Sequence, residues 1–382
     1  MALVTGARDT KNIETTRIIR DVGDTILQLQ PDKTPLLVLL NRIAKKPTIS
    51  YKFEDYEDDL MATWTAINNA NGYDENATSI VVDDGSVFAP NDILQVPRTK
   101  ECMLVTAVSS NTLTVVRGFG ETDAAALNDD DPVQNIGNAF EEGASAPAAK
   151  TTKKAAYYNF TQIFRTPVEH TGTLMAMRLY GGNVDYERAK AAVEHLVKIE
   201  RAFWFGERKE DTSGTHPRRT TRGVLKHLTT NETDCGGNNF SESTYWLPFL
   251  EKVFQYGSDT KFLFASGALI TELDKIAAGR LNLLRRDEGY GLTIREWETT
   301  HGRLFIIKNK LFTGAIYGKF GVVLDIDNPQ KLVRYRYLEG RDTALRIGIQ
   351  AKADDTQKDE YLTECGCQVM LEKCHGWIHN FA

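Results

Sequence analysis

The strongest periodic pattern in the chain is a long segment, about residues 184–206, in which apolar residues recur every three or four positions. Acidic residues in its first turn suit the positive end of the helix dipole, and Asn183 or Asp185 is a suitable N-cap. A helix of about 23 residues spans roughly 35 Å. The pattern therefore predicts one long helix that forms the spine of a domain.

A shorter helix is predicted over about residues 35–43. Thr34 is a good N-cap, Pro35 suits the first helical position, and leucines line one side before Pro47 ends the pattern. The residues before it are mostly polar and weakly periodic. We therefore expect residues 1–47 to form an N-terminal arm that carries this short helix.

Two amphipathic strand patterns, about a hundred residues apart, predict the stem of an extended loop. In residues 48–59, Ile49, Tyr51 and Phe53 alternate with polar neighbours, and the segment ends in acidic residues. A similar alternation covers residues 157–165. We expect the two strands to pair, with the loop running outward over 48–75 and returning over 138–165.

The residues between these strands contain short strand-like runs separated by Asp-, Asn- and Gly-rich turns. Regular spacing of short strands with turn chemistry is typical of small all-β folds. The pattern predicts an inserted small β-barrel domain at 76–137.

The C-terminal half mixes helical and strand patterns, which together with the features above predicts the α+β fold class. Helices are expected at about 243–256 and 267–279. Strands are expected at 261–266, 291–298, 302–308, 331–338, 344–351, 362–373 and 376–381.

Composition agrees with a folded, soluble protein. The chain has 382 residues, 41% of them hydrophobic and 26% charged, which predicts about two or three structural units. The formal net charge of −6 argues against a general nucleic-acid binder. No apolar run is long enough for a membrane span and no secretory signal is recognisable, so we expect synthesis in a cytosol and no membrane partner.

The common catalytic and cofactor motifs are missing from the sequence. Gly118-Phe119-Gly120 starts a GxG pattern but lacks the third glycine and the helix that dinucleotide binding needs. The basic run 216–222 has no interleaved aromatic residues to stack bases, so a solvated loop is the favoured interpretation. We predict no catalytic residues, no cofactor and no enzyme activity.

Cysteine and histidine residues near the C-terminus are the best metal candidates: Cys365, Cys367, Cys374, His375 and His379. Thiolates and imidazoles are ligands that zinc prefers. However, a C-x-C pair on a strand directs both thiols to one face, whereas Cys374 has the opposite parity and no C-x-x-C knuckle is present. We therefore expect free, buried thiols and no metal.

Several segments, in this order, resemble a family of tailed-bacteriophage major capsid proteins. The resemblance extends over nearly the whole chain, and the order of the segments makes it more specific than each segment alone. The segments are PDKTPLL at 31–37, GNAFEEG at 137–143, YNFTQIFR at 158–165, IERAFWFGE at 199–207 and RGVL at 222–225.

The resemblance implies an HK97-like capsid fold with an N-terminal arm, an extended loop, a peripheral domain and an axial domain. The peripheral domain would comprise 166–215 with the spine helix and 326–382 with the C-terminal strands, and the axial domain 216–325. The implied function is a major capsid protein that assembles into hexamers and pentamers of an icosahedral shell around double-stranded DNA.

The implied partners are further copies of the chain, separate scaffolding and portal proteins, decoration proteins, and DNA bound at the inner face without sequence specificity. The implied location is the virion, after assembly in the cytoplasm of a bacterial host. The alternative is a phage or cell-surface adhesin built on small β modules, but the long solitary helix argues against it.

We expect subunit contacts to join the acidic end of the extended loop to a basic surface of the spine helix in a neighbouring copy. The candidate interface residues are Phe53, Glu54, Asp55, Glu57, Asp58 and Asp59 on the loop, and Arg188, Lys190, Lys198 and Arg201 on the helix.

Overall fold

The computed structural model describes residues 34–177, 184–278, 285–287 and 294–382. Residues 1–33 of the expected arm, the candidate cap Asn183 and residues 291–293 of an expected strand lie outside these ranges. Among the described residues, no helix is both long and apolar enough to cross a membrane.

The described helices and strands confirm the mixed α and β composition. The helices are α1 Pro35–Ile43, α2 Gly172–Ala176, α3 Val184–Phe205, α4 Val224–His227, α5 Leu247–Phe254, α6 Gly267–Ala278 and α7 Gly314–Tyr317. The strands are β1 Lys45–Thr48, β2 Lys52–Glu57, β3 Trp64–Ala66, β4 Ser79–Val81, β5 Asp92–Val96, β6 Glu101–Ser109, β7 Thr112–Val116, β8 Pro132–Asn138, β9 Ala155–Phe160, β10 Gln162–Thr171, β11 Lys209–Asp211, β12 Arg218–Thr220, β13 Glu232–Asp234, β14 Thr260–Ala265, β15 Arg285–Asp287, β16 Ile294–Glu298, β17 Arg303–Lys308, β18 Phe320–Leu324, β19 Val333–Leu338, β20 Ala344–Arg346, β21 Thr356–Val369 and β22 Gly376–His379.

The two helices with the clearest sequence patterns form where they are expected. α3 matches the predicted spine helix, and its buried positions Ala191, His195, Ile199 and Phe203 recur at four-residue steps. α1 begins with Pro35 at its first position, as predicted. The expected Thr34 cap is wrong, because the Thr34 side chain makes no capping hydrogen bond.

The chain divides into two compact units. One unit is Tyr56–Ala155, and the other comprises the residues up to Asp55 together with Ala156–Ala382.

A sheet with the order β1-β19-β21-β10, to which β20 adds by pairing with β21, packs against α1 and α3 in the larger unit. Its central strand β21 has buried side chains on both faces. Cys365 and Cys367 lie in the apolar core with α1 and α3. A Cβ added to Gly366, between them, would lie 3.0 Å from the Phe53 ring, so the opposite face packs against the start of β2.

A second sheet of the larger unit has the order β13-β22-β18-β14-β17-β16-β15. β14 pairs in parallel with β17 and antiparallel with β18, and α5 and α6 pack on an apolar core that includes Leu263 and Leu269. The C-terminal strand β22 belongs to this sheet and not to the sheet of β21. The turn Glu372–Cys374, preceded by Leu371 at φ 51°, redirects the chain between the two strands. The sheet therefore crosses the boundary expected between 325 and 326.

The Tyr56–Ala155 unit has one sheet with the order β3-β8-β5-β6-β7-β4. An antiparallel bridge between Ile67 and Val82 joins the two end strands, so the sheet closes on itself as a small barrel. Alternate residues of β5, Asp92, Leu94 and Val96, face its interior. The inserted domain was predicted at 76–137, but β3 lies before residue 76. The sheet of the barrel therefore begins earlier in the chain than predicted.

The expected stem strands pair, but over a shorter length than the sequence pattern suggests. β2 pairs with β9 as a two-stranded ribbon, as predicted. At Thr161, whose backbone N–H donates to the Tyr51 carbonyl at 2.8 Å, the chain leaves the ribbon and continues as β10 on β21. The strand expected at 344–351 is also shorter, because Gly348 adopts a left-handed φ of 72° after β20.

Candidate assembly surfaces

Three aromatic rings contact one another at the root of the β2–β9 ribbon, and a guanidinium group packs on each of two of them. The Phe160 ring lies between Tyr51 and Tyr158, with ring centroids 6.3 and 5.6 Å away. The guanidinium of Arg219 lies 3.8 Å from the Tyr51 centroid, and that of Arg208 lies 3.9 Å from the Tyr158 centroid. We call these five residues the root stack. It connects the hairpin of β11 and β12 to the ribbon through cation–π contacts.

Phe53 and Asp55, two of the predicted interface residues, instead bind their own chain. Phe53 is buried over Gly366, and the Arg336 guanidinium lies 5.5 Å from its ring. The Asp55 carboxylate accepts a hydrogen bond from the Gln368 amide. Burial raises the pKa of Asp55, and the nearby Arg336 opposes that rise. Phe53 is buried and Asp55 is half-buried, so both side chains contribute to anchoring the ribbon within their own chain.

The remaining acidic candidates lie along the ribbon and just beyond it. Glu54 is exposed and forms an ion pair with Lys52, and Asp58 accepts a hydrogen bond from the Thr152 hydroxyl at 2.8 Å. Glu57 is half-buried and Asp59 is exposed. The acidic charge is therefore concentrated at the end of β2.

Large apolar side chains are exposed near the same ribbon. Ile49 is 91% exposed, and Tyr157 is 45% exposed. Tyr56 and Leu60 are 70% and 92% exposed at the beginning of the other compact unit. Large apolar side chains that are exposed in this way are candidates for burial against another protein.

The basic candidates on α3 divide into two pairs. Arg188 donates to the buried Asp359 carboxylate at 2.8 Å, and the Lys198 ammonium donates to the Thr166 hydroxyl at 3.0 Å. Lys190 and Arg201 are exposed, and neither forms an ion pair within the described ranges. Of the four, Lys190 and Arg201 are thus the residues that a partner can reach without breaking internal contacts.

A second basic surface lies on the sheet of β21, where no interface residue was predicted from the sequence. The carboxylate of Glu360, whose side chain is only 4% exposed, lies 2.5 Å from Arg165 and 3.7 Å from Arg346. The two arginine side chains are 60% and 49% exposed. One buried carboxylate shared by two arginines leaves this surface with an excess of positive charge.

The C-terminal thiols and imidazoles do not converge. In the part of the chain that the structure describes, no three His, Cys, Asp or Glu side chains form a group that could hold a metal ion. Burial raises the pKa of both the Cys365 and Cys367 thiols. Burial lowers the pKa of His375 to about 4, and its Nδ1 accepts a hydrogen bond from the Asp325 backbone N–H at 3.0 Å. Protonated thiols and a hydrogen-bonded imidazole are poor metal ligands.

The root stack could not be found from local sequence. The basic run 216–222 has no aromatic residue within it, and the tyrosines that meet Arg219 and Arg208 come from distant strands. The sequence gives one weak signal, which is that Tyr51 and Tyr158 stand in strand-like patterns. That pattern does not show which residues the two tyrosine rings will contact.

The fold defines the class of protein. The chain superposes on a capsid chain of a native GTA particle with a TM-score of 0.52 and 11% identity, covering 98% of each chain. It superposes on the SrpI encapsulin of Synechococcus elongatus PCC 7942 with a TM-score of 0.51 and 10% identity, covering 99% of this chain and 96% of that one. The predicted HK97-like capsid fold is confirmed.

The family follows from the sequence comparisons. The model of the SU10 major capsid protein family matches residues 4–382. A major capsid protein of Pseudomonas phage PaMx41 is 25% identical over 340 residues, which cover 85% of this chain and 80% of that protein. The chain therefore belongs to the SU10 major capsid protein family. It is a structural protein of the phage virion, and the adhesin alternative is set aside.

Proposed function

We propose that the chain assembles into hexamers and pentamers that close an icosahedral shell around double-stranded DNA. The observation that carries the proposal is the β2–β9 ribbon with its exposed apolar neighbours. A two-stranded ribbon is marginally stable by itself in water. Tyr157 within the ribbon and Ile49 shortly before it remain exposed, so a neighbouring copy that covers them would stabilise the ribbon.

The distribution of exposed charges supports a particular contact between neighbouring copies of the chain. The acidic end of β2, with Glu54 and Asp58, would lie against a basic surface of the next copy. Lys190 and Arg201 on α3 are the favoured receivers, since Arg188 and Lys198 have partners within their own chain. Exposed pairs of this kind mainly set register and association rate, and each contributes about 0–1 kcal/mol.

Contacts with DNA would be weak and without sequence specificity. The net charge of −6 provides no global attraction to phosphate, so the genome would not be held tightly to the wall. We further propose that assembly takes place in the host cytoplasm, with separate scaffolding and portal proteins and with decoration proteins as further partners.

Electron microscopy of the purified full-length protein, with and without its scaffolding protein, tests this function. We expect rings of six and five subunits, or closed shells. Only monomers at high concentration with the scaffolding protein present would contradict the proposal.

Charge reversal tests the proposed contact. Changing Glu54, Asp58 and Asp59 to Lys is expected to slow assembly, most strongly at low salt, because the steering attraction becomes repulsion. Light scattering measures the rate. The matched control changes the exposed Glu141 and Glu142 to Lys and should have a smaller effect.

The basic surface that contacts the acidic end of β2 can be identified by a second charge reversal, made in the triple variant. If Lys190 and Arg201 receive the acidic end, changing both to Glu restores the assembly rate of the triple variant. If changing Arg165 and Arg346 to Glu restores the assembly rate instead, the acidic end of β2 contacts the surface around Glu360. Unchanged assembly of the triple variant itself would refute the contact.

A further inference from the structure

A small cavity lies at the root of the β2–β9 ribbon, within the larger unit. Its walls come from β2, β9, α4 and β21, and they include Asp55, Tyr158, His227 and Gln368. The space open to the centre of a water molecule is about 10 Å³, which is close to what one water molecule needs. The cavity therefore has the size of a site for a single water molecule.

Gln368 brings to this cavity a buried oxygen atom that needs a hydrogen-bond donor. The side chain is only 3% exposed. Its amide nitrogen faces two acceptors, the Asp55 carboxylate and the Met370 sulfur at 3.4 Å, which fixes the orientation of the amide. No group in the described part of the chain donates to the remaining atom, Oε1. A buried carbonyl oxygen without a donor is unfavourable, so the site requires a donor from elsewhere.

His227 has a second buried atom without a partner. Its Nε2 is enclosed and makes no hydrogen bond to any residue that the structure describes. Burial and the nearby guanidinium groups of Arg222 and Arg208 lower the pKa of His227 to about 3, so the ring carries no charge near neutral pH. In a neutral imidazole, Nε2 either donates one hydrogen bond or accepts one.

The groups around the cavity favour a neutral ligand that can donate hydrogen bonds. The Gln368 oxygen and the Asp55 carboxylate repel an anion, and the guanidinium groups of Arg222 and Arg208 oppose a cation beside His227. A water molecule can donate to Oε1 and can either donate to the imidazole or accept from it. We propose that the cavity binds one ordered water molecule, which joins Gln368 of β21 to His227 of α4.

The ribbon forms part of the wall of this site. Phe53 of β2 and Tyr157 of β9 line the same cavity. Lifting the ribbon from the sheet would therefore expose the water molecule to solvent. The bridge belongs to the contacts that hold the ribbon to its own chain, so it is expected in the free subunit and in any assembly alike.

A density map of the full-length protein, at a resolution that shows ordered water, tests the site directly. We expect one peak within hydrogen-bonding distance of both Gln368 Oε1 and His227 Nε2. An empty cavity would overturn the proposal, and so would a direct hydrogen bond between the two side chains. A peak with the short ligand distances of a metal ion would also overturn it.

His227→Phe removes one of the two partners of the water molecule. We expect the peak to disappear and the midpoint of thermal unfolding to fall, because Gln368 Oε1 then lacks a donor. The control His216→Phe, at an exposed loop position, should keep both the peak and the midpoint.

A peak retained in His227→Phe would show that His227 is not a partner and would refute the bridge. The map of the wild-type protein decides the matter even if the variant does not fold. Neither the map nor the melting curve depends on whether the protein forms shells.

Discussion

Glu101→Gln is expected to destabilise the Tyr56–Ala155 unit by about 3–5 kcal/mol. Glu101 and Arg117 form an ion pair at 2.7 Å, with side chains only 0% and 6% exposed. Arg117 also donates to the carbonyls of Asp74 and Ala77 in the loop between β3 and β4, and to that of Ala125 in the loop between β7 and β8. The neutral amide would leave the guanidinium buried without a counter-charge while the loops still depend on it.

The pH dependence of the same unit provides a second readout. Burial by itself raises the pKa of Glu101, but the hydrogen bonds from Arg117 and from the N–H groups of Ala125 and Gly118 outweigh it and hold the pKa below 4.5. A lowered carboxyl pKa gives stability that is present above pH 4.5 and is lost as the pH falls further. We therefore expect the wild-type unit to lose stability in acid and the variant to lose less.

Urea unfolding of an isolated 56–155 fragment, followed by circular dichroism, tests the destabilisation and its pH dependence. It also tests our expectation that the barrel folds autonomously, because its contacts are mostly local to this unit. The control Glu121→Gln changes an exposed carboxylate of the same unit and should cost less than about 0.5 kcal/mol. Equal midpoints for Glu101→Gln and Glu121→Gln would contradict the role of the pair. A fragment without a cooperative transition would contradict autonomy.

Lys261→Met is expected to destabilise the larger unit by about 3–5 kcal/mol, because it removes a buried cation that several groups share. The ammonium is fully buried and donates to the carbonyls of Val253, Tyr256 and Cys374 at 3.0, 2.8 and 2.7 Å. Val253 is near the end of α5, where carbonyls lack helical partners. Asp325 lies 3.8 Å away.

Methionine keeps the apolar stem of the lysine but leaves the three carbonyls without this donor and the buried Asp325 carboxylate without its nearby positive charge. Thermal unfolding of the unassembled subunit measures the cost. Lys252→Met, at an exposed position of α5, is the matched control and should leave the midpoint nearly unchanged. If both variants melt together, Lys261 is only a space-filling residue.

Much of the local structure could be predicted from residue patterns. α3 and α1 follow from four-residue apolar steps and from Pro35, and the short strands of the barrel follow from alternation bounded by turn residues. Helix and strand periodicity reflects which side chains share a face over a few residues. It can therefore be recognised from residues that are close together in the sequence. The family resemblance, carried by the order of several short segments, extends this to the fold and the function.

Which of the candidate interface charges have partners within their own chain could not be predicted from the sequence, for a physical reason. A charged residue in a sequence does not reveal whether its own chain will neutralise it. Arg188 binds Asp359 and Asp55 binds Gln368, and each partner is more than 150 positions away. Glu200 gives a partial signal, since it occupies a position on the apolar side of α3, but its donors Leu36 and Leu37 lie outside any local pattern.

The sequence by itself determined the α+β class, the spine helix, the inserted barrel and the membership in a capsid family, because these depend on local periodicity and on motif order. Tertiary structure alone decided that β10 leaves the ribbon to pair with β21, that β22 joins the sheet of β14, and that Arg219 and Arg208 stack on tyrosines. It also decided which charges remain exposed. These outcomes depend on contacts between residues far apart in the chain, whose free energies are settled only when the whole core packs.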